Sequence, residues 1–423
     1  MRLLVVAALL FVSMPASVVG QTADDQVPAS YVKNMKPHST NGASRADGGV
    51  LGGRSSGNTL GVDTVANWSS YFYIAGPGPF GGLQFTWPYT MVGHAPFGQG
   101  NEGDWNGEKT SINAPIVAVN LDLRNFDGTP RFVNGQRLYS DATQFVPYVL
   151  ASPVFAKSTW DSSEEPTQIT DAIQRAEFFH KADEEWHTLL RPRVVTARTM
   201  VLIRGTYRFA LNSDGSCCLF VLVDGNTFVN ALFPATPTDT TTPIGAAENA
   251  GEFRTKDIGT FLFPNAFLYA NGDPTQCCVL GFHSYDVEPG DKWNGFQERR
   301  YVMNFSSWIT PGLFGDSFAD VTGLSHEMAE LFNDPFVGNT TPWWLGPNGN
   351  CQGNLETGDV IEGLPNATYP ITLNGNTYHP QNEALLQWFA GVTNSNAIHR
   401  AYSYPDITVL PTTNTPQNPG CTP

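Results

Sequence analysis

Basic residues are scarce in this chain. Lys and Arg number 23 against 39 Asp and Glu, a formal net charge of −16 over 423 residues. A surface of that sign repels phosphate backbones and anionic headgroups, which argues against nucleic-acid or membrane-surface partners. Charge of either sign is also sparse, at 15%. Long apolar runs are missing beyond the first twenty residues, so no membrane span is expected in the remainder of the chain. No repeat of solenoid or propeller period is present. What the chain does have is 41 Gly, 31 Pro and 12% aromatic residues, the composition of a loop-rich extracellular fold.

The first twenty residues read as a signal peptide. Arg2 gives the positive start, Leu3–Val12 an apolar run too short to span a bilayer, and Pro15 leads into Ala16, Ser17, Val18 and Gly20. Cleavage near Gly20–Gln21 predicts an exported, soluble protein, extracellular or periplasmic. Residues 21–62, rich in Ser, Gly, Asn and Asp, read as a flexible leader or pro-segment. Within them Gly53-Arg54-Ser55-Ser56-Gly57 matches the nucleophile-elbow pattern without the strand and helix that elbow needs. Gly76-Pro77-Gly78-Pro79-Phe80-Gly81 likewise matches a dinucleotide fingerprint inside a proline-rich loop. Both matches are set aside. Residues 63–411 are expected to form an α+β globular domain, with a possible sub-boundary near 250 and a zincin-like part over 256–411. Residues 412–423 read as a tail tethered by Cys421.

The six cysteines form two doublets, Cys217-Cys218 and Cys277-Cys278, and two singles, Cys351 and Cys421. An even count in an exported chain favours disulfides. Neighbouring residues on a strand face opposite ways, so doublets on adjacent strands would bridge once per face. The expected pairing joins Cys217/Cys218 to Cys277/Cys278 and Cys351 to Cys421. A four-cysteine zinc site is the rival reading.

Apolar, β-branched runs predict strands at Ile116–Leu123, Val194–Ile203, Leu219–Val223, Thr227–Leu232, Thr260–Leu268, Val279–His283 and Tyr301–Phe305. Asn134-Gly135 between Arg131-Phe132-Val133 and Arg137-Leu138-Tyr139 signals a hairpin. Helical spacing runs from Thr167 to Leu190 and from Phe318 to Phe332, the second capped by Asp316 or Ser317 and stopped by Asn333-Asp334-Pro335.

That second helix carries the chemistry. Ser325-His326-Glu327-Met328-Ala329-Glu330 reads H-E-x-x-E, the H-E-x-x-H zinc-peptidase pattern with a carboxylate in place of the second histidine. At 3.6 residues per turn His326 and Glu330 share a face and can hold one cation. Glu327 stands where a general base would act on a metal-bound water. A third ligand is available from Glu356 or Asp359 in Leu355-Glu356-Thr357-Gly358-Asp359, or from Asp334 beyond the helix end. One histidine with two carboxylates is a hard donor set, so zinc is expected with manganese, iron or calcium as alternatives. Trp343 and Trp344 are expected to wall a substrate cleft, unless they pack in the core. His283, on a predicted strand, can reach the cleft as a ligand or a transition-state donor. Against all this stands the bland reading of His326 and Glu330 as an ordinary i,i+4 ion pair. Glu177, His180, Asp183, Glu184 and His187 read as a solvated polar face.

Three pieces resemble a group of uncharacterised secreted bacterial proteins. They are Cys277-Cys278-Val279-Leu280-Gly281-Phe282-His283, then Leu324–Glu330 with Asn333-Asp334-Pro335, then Leu355-Glu356-Thr357-Gly358-Asp359. The H-E-x-x-E segment and its downstream E-x-x-D are also distantly similar to the EXORDIUM/phosphate-induced secreted plant proteins. The resemblance covers roughly residues 277–360 and implies an extracellular protein with a metallopeptidase-like site. Two functions are expected: a secreted metal-dependent hydrolase of an extracellular peptide or protein substrate, or a non-enzymatic protein that binds cell-wall carbohydrate or another partner.

Overall fold

The strand Lys109–Arg124 organises the molecule because its side chains alternate between two cores. Ile112, Ala114, Ile116 and Ala118 enter one apolar cluster. Val117, Val119, Leu121 and Leu123 enter another on the opposite face. A computed structural model describes residues 25–33, 35, 37, 61–74, 85–96, 109–315 and 318–414.

This long strand lies at the centre of an eight-stranded mixed sheet. On one side it pairs in parallel with His187–Val194 and Arg198–Ile203, and on the other with Ile258–Pro264. Ile258–Pro264 pairs in parallel with Glu298–Trp308, which takes Gly281–Glu288 as its antiparallel neighbour. All seven residues of Ile258–Pro264 are buried, as a parallel strand covered on both faces requires. A four-stranded sheet of Tyr207–Leu211, Cys217–Asp224, Ala266–Tyr269 and Cys277–Val279 packs below. Its Phe209, Val221 and Val223 share the second core. Its Phe220, Leu222 and Phe267 face a third core with Trp87, Trp186, Trp344 and Trp388. The architecture is α+β.

The helix Thr322–Asn333 lies on the upper face of the large sheet. It packs on Glu298–Trp308, on the edge strand Gly281–Glu288 and on the helix Ile169–Glu177. Val321, Leu324, Met328, Leu331 and Phe332 anchor it in the first core. Burying those side chains fixes which way the remaining face points.

Several expectations change. Helical spacing from Thr167 ends at Glu177, and Leu189-Leu190 belong to a strand. The run Thr227–Leu232 is a helix, Gly225–Leu232, because Asp224 caps it by accepting from Thr227 N–H at 2.9 Å. The metal-site helix starts at Thr322 rather than Phe318, and the proposed caps Asp316 and Ser317 lie outside the described residues. The Asn134-Gly135 hairpin is present, with φ of 52° and 79° joining Phe132–Val133 to Gln136–Arg137. Strands from both sides of residue 250 alternate in the large sheet, so it unites the two parts separated at the expected sub-boundary.

The cysteine doublets do not bridge one another. Cys217 bonds Cys218, and Cys277 bonds Cys278. The strand Ala266–Tyr269 runs between the two doublet strands. Two strand spacings put them roughly 9–10 Å apart, beyond disulfide reach. Cys351 is disulfide-bonded, while Cys421 lies outside the described residues. The segment expected to be a signal peptide and most of the expected leader lie outside them as well. Residues 25–33 of that leader are held in place: Val27 N–H bonds to Phe209 C=O, and buried Asp25 receives Arg131, Arg204 and Arg208. No described helix is long and apolar enough to cross a membrane.

Candidate metal centre

The site helix turns His326, Glu327 and Glu330 away from the core and toward two walls. His326 Nε2 lies 3.2 Å from Glu330 Oε2 and 3.9 Å from Glu327 Oε1. One wall is the edge strand, where His283 Nδ1 stands 3.5 Å from both Glu327 Oε2 and Glu330 Oε2. The other is the loop Leu355–Asp359, which brings Asp359 Oδ1 to 3.4 Å from His326 Nε2 and Glu356 Oε2 to 3.8 Å from His283 Nε2. Glu330 is fixed from that loop, its Oε1 accepting from the N–H groups of Gly358 at 3.0 Å and Asp359 at 3.3 Å.

Two glycines allow the walls to close. A Cβ on Gly281 would lie 2.6 Å from Glu327 Cγ, and one on Gly358 would lie 2.6 Å from His326 Nδ1. Around them a polar shell holds the loop. Gln352 Nε2 donates to Asp359 Oδ2, Gln381 Nε2 donates to Gly358 C=O, and Thr357 Oγ1 donates to Glu383 Oε2.

The donors are deeply buried, none more than 5% exposed. Burial opposes charge on His283, but Glu356, Glu327 and Glu330 override it and hold the imidazole well above its ordinary range. Burial likewise opposes charge on His326, where Glu330, Glu327 and Asp359 override it. Burial pushes Glu356 well above the usual carboxylate range, with Glu330 adding to it. Burial does the same to Glu383. Glu330 moves down against its own burial because His326 and His283 both face it. The cluster therefore retains protons wherever its carboxylates crowd, which is the response of a site with an excess of negative charge.

A cation would answer that excess. Tetrahedral bonds of about 2.0–2.1 Å put ligand atoms about 3.3 Å apart. The 3.2 and 3.4 Å separations of Glu330 Oε2 and Asp359 Oδ1 from His326 Nε2 match that spacing. Neither His326 Nε2 nor His283 Nε2 has a hydrogen-bond partner among the described residues, although carboxylates stand close. Atoms that approach without hydrogen-bond alignment suit a shared central ion. The residues fit a metal, and His326, Glu330 and Asp359 would hold it.

The structure brings together most of the predicted site residues. Asp334 stands apart, because Gly338 N–H and Asn339 N–H occupy its two oxygens at 2.8 and 3.0 Å and make it a turn residue. Glu356 faces His283 instead of completing the His326 group. Trp344 walls no cleft: it is fully buried against Trp388 and Phe389, and its indole N–H bonds to Asn354 C=O. Trp343 covers Gly353. Of the supposed polar face, His180 and Glu184 are exposed as expected, whereas Glu177 is buried and the half-buried His187 bonds to Asp171. Glu383, Gln381 and Gln352 escaped sequence reasoning, having no motif to mark them. Comparison of the chain with protein-family models, curated proteins and solved structures finds no match to any of them.

Proposed function

We propose that this protein is a secreted metal-dependent hydrolase that cleaves peptide bonds at the His326–Glu330–Asp359 centre. The observation that carries the reading is the convergence of these three donors at metal-ligand spacing beside Glu327. The antiparallel edge strand Gly281–Glu288 flanks the helix, the zincin-like placement in which a strand can align an extended peptide. A divalent cation held there would supply Lewis acidity and make a nearby water more acidic. Glu327 would accept a proton from the attacking water, whose oxygen adds to the scissile carbonyl carbon. Glu327 then returns the proton to the departing amine.

The test uses the purified mature protein. Elemental analysis should find stoichiometric metal that is lost in His326→Ala. Glu327→Gln should keep the metal and lower turnover by about 10²–10⁴-fold on a peptide library. Metal-free native protein, or full activity in Glu327→Gln, would sink the proposal.

One observation favours a second reading. The centre is closed over, and the cavity lined by Leu280, Gly281, Phe318, Gly323 and Glu327 measures about 10 Å³, room for a single water. That closure suits a non-enzymatic extracellular protein with a structural ion that binds cell-wall carbohydrate elsewhere. Glycan binding that survives both chelation and Glu327→Gln would select it.

A further inference from the structure

We infer that the centre takes two divalent cations, the second lying between His283, Glu327 and Glu330. The inference rests on the metal-centre reading above and extends it. The buried donors fall into two groups whose atoms lie within 4.8 Å of one another, His326–Glu330–Asp359 and His283–Glu327–Glu330. The two histidines belong to different groups, and Glu330 belongs to both.

The carboxylates between them are placed as bridges. Glu330 Oε2 faces His326 Nε2 at 3.2 Å and His283 Nδ1 at 3.5 Å. Glu327 turns Oε1 toward His326 at 3.9 Å and Oε2 toward His283 at 3.5 Å. Each histidine would thus serve one ion, with Glu330 and Glu327 spanning the pair. Glu356 completes the second position from outside. It stands 3.8 Å from His283 Nε2, and both its oxygens are buried without hydrogen-bond partners. At that distance Glu356 makes no hydrogen bond, but its charge favours a proton on Nε2 and leaves the opposite nitrogen for the metal. Here that nitrogen is Nδ1, which faces Glu327 and Glu330.

Charge balance agrees. Glu327, Glu330, Glu356 and Asp359 carry four negative charges when ionised, and they share the two histidines that face them. One divalent cation leaves half that charge uncompensated by metal in a buried site, where it is costly. Two cations with neutral imidazoles neutralise it. The mixed nitrogen and oxygen donors suit zinc, cobalt, manganese or ferrous iron. The second ion also has a consequence for turnover. Once Oε2 of Glu327 is bound to it, that carboxylate is a weaker base, so filling the second position slows the hydrolase that the first position activates.

Calorimetry and elemental analysis of metal-stripped protein titrated with Co²⁺ test this. Wild type should take up two ions with unequal affinities. His283→Gln should take up one, at the stronger affinity. Glu356→Gln should still take up two, the weaker affinity falling about 10–100-fold. Circular dichroism and melting curves check that each variant folds; if His283→Gln does not, Glu356→Gln decides. Saturation of wild type at one ion, two ions in folded His283→Gln, or an unchanged weaker affinity in Glu356→Gln overturns the second site and leaves the hydrolase reading standing. Uptake of no ion overturns both.

Discussion

Gly358 tolerates little change at the centre. An added methyl would meet the His326 ring at 2.6–2.8 Å, and the ring cannot retreat because the site helix is buried along its whole length. Gly358→Ala should therefore tilt His326 off its aim. Overpacking of this kind costs roughly 1–3 kcal/mol, and zinc affinity should fall with it. Thermal melting and metal competition would read both effects. A variant with unchanged melting temperature and affinity would show that the loop does not press on His326.

Among the elements, the site helix depends on a buried carboxylate on its neighbour. Glu177, at the end of Ile169–Glu177, accepts from Leu386 N–H at 3.1 Å and from Asn333 Nδ2 at 3.3 Å, joining its own helix to the site helix and to the short helix Leu386–Phe389. Burial pushes its pKa to about 8, against an ordinary value of 4.5. A carboxyl raised in the folded state favours folding when protonated. That contribution is complete below about pH 4.5 and is lost as pH rises through about 8. Glu177→Gln keeps the hydrogen-bonding shape of the protonated acid without the titration. It should match wild type near pH 4.5 and exceed it by a few kcal/mol near pH 8.5, since a tenfold change in proton affinity is worth about 1.4 kcal/mol. Denaturation midpoints that differ equally at both pH values would contradict this account.

At the scale of the molecule, the centre joins the site helix, the edge strand and the loop through Asp359. On the metal-centre proposal, stripping the metal leaves those segments held by crowded carboxylates. Melting temperature should fall on chelation at pH 7.5 and fall much less at pH 5. Glu356 and Glu383 have raised pKa values, so the metal-free protein gains stability as pH drops and they take up protons. Equal chelation effects at the two pH values would argue against a metal that neutralises this charge. Cys351 tests the same region from outside. It opens the strand Cys351–Asn354, whose Gln352 holds Asp359. Cys351→Ser should lower stability by about 2–4 kcal/mol and weaken metal retention together. Peptide mapping of non-reduced protein should recover Cys351 with Cys421; free thiols at both would remove the basis for it.

Local pattern carried a good share of this protein. Apolar spacing over Phe318–Phe332 marked a helix, and within it the H-E-x-x-E spacing set His326 and Glu330 one turn apart with Glu327 beside them. Asn134-Gly135 likewise specified a hairpin through its positive φ angles. Apolar runs marked the strands around Ile116–Leu123, Leu219–Val223 and Tyr301–Phe305, whereas the runs Thr260–Leu268 and Val279–His283 each divide between the two sheets. Thr227–Leu232 had the same composition and became a helix, since a single cap at Asp224 outweighed it. What tertiary structure decided was adjacency. His283 is one histidine on one strand until the antiparallel pairing of Gly281–Glu288 sets it against Glu327 and Glu330. The cysteine doublets looked like partners until Ala266–Tyr269 came between them. Asp334 was a candidate ligand until the turn after the helix claimed both its oxygens. Periodicity along a chain is fixed by backbone geometry, whereas the order of strands and the route of a loop are fixed by which buried surfaces fit together, and no short stretch of sequence contains that.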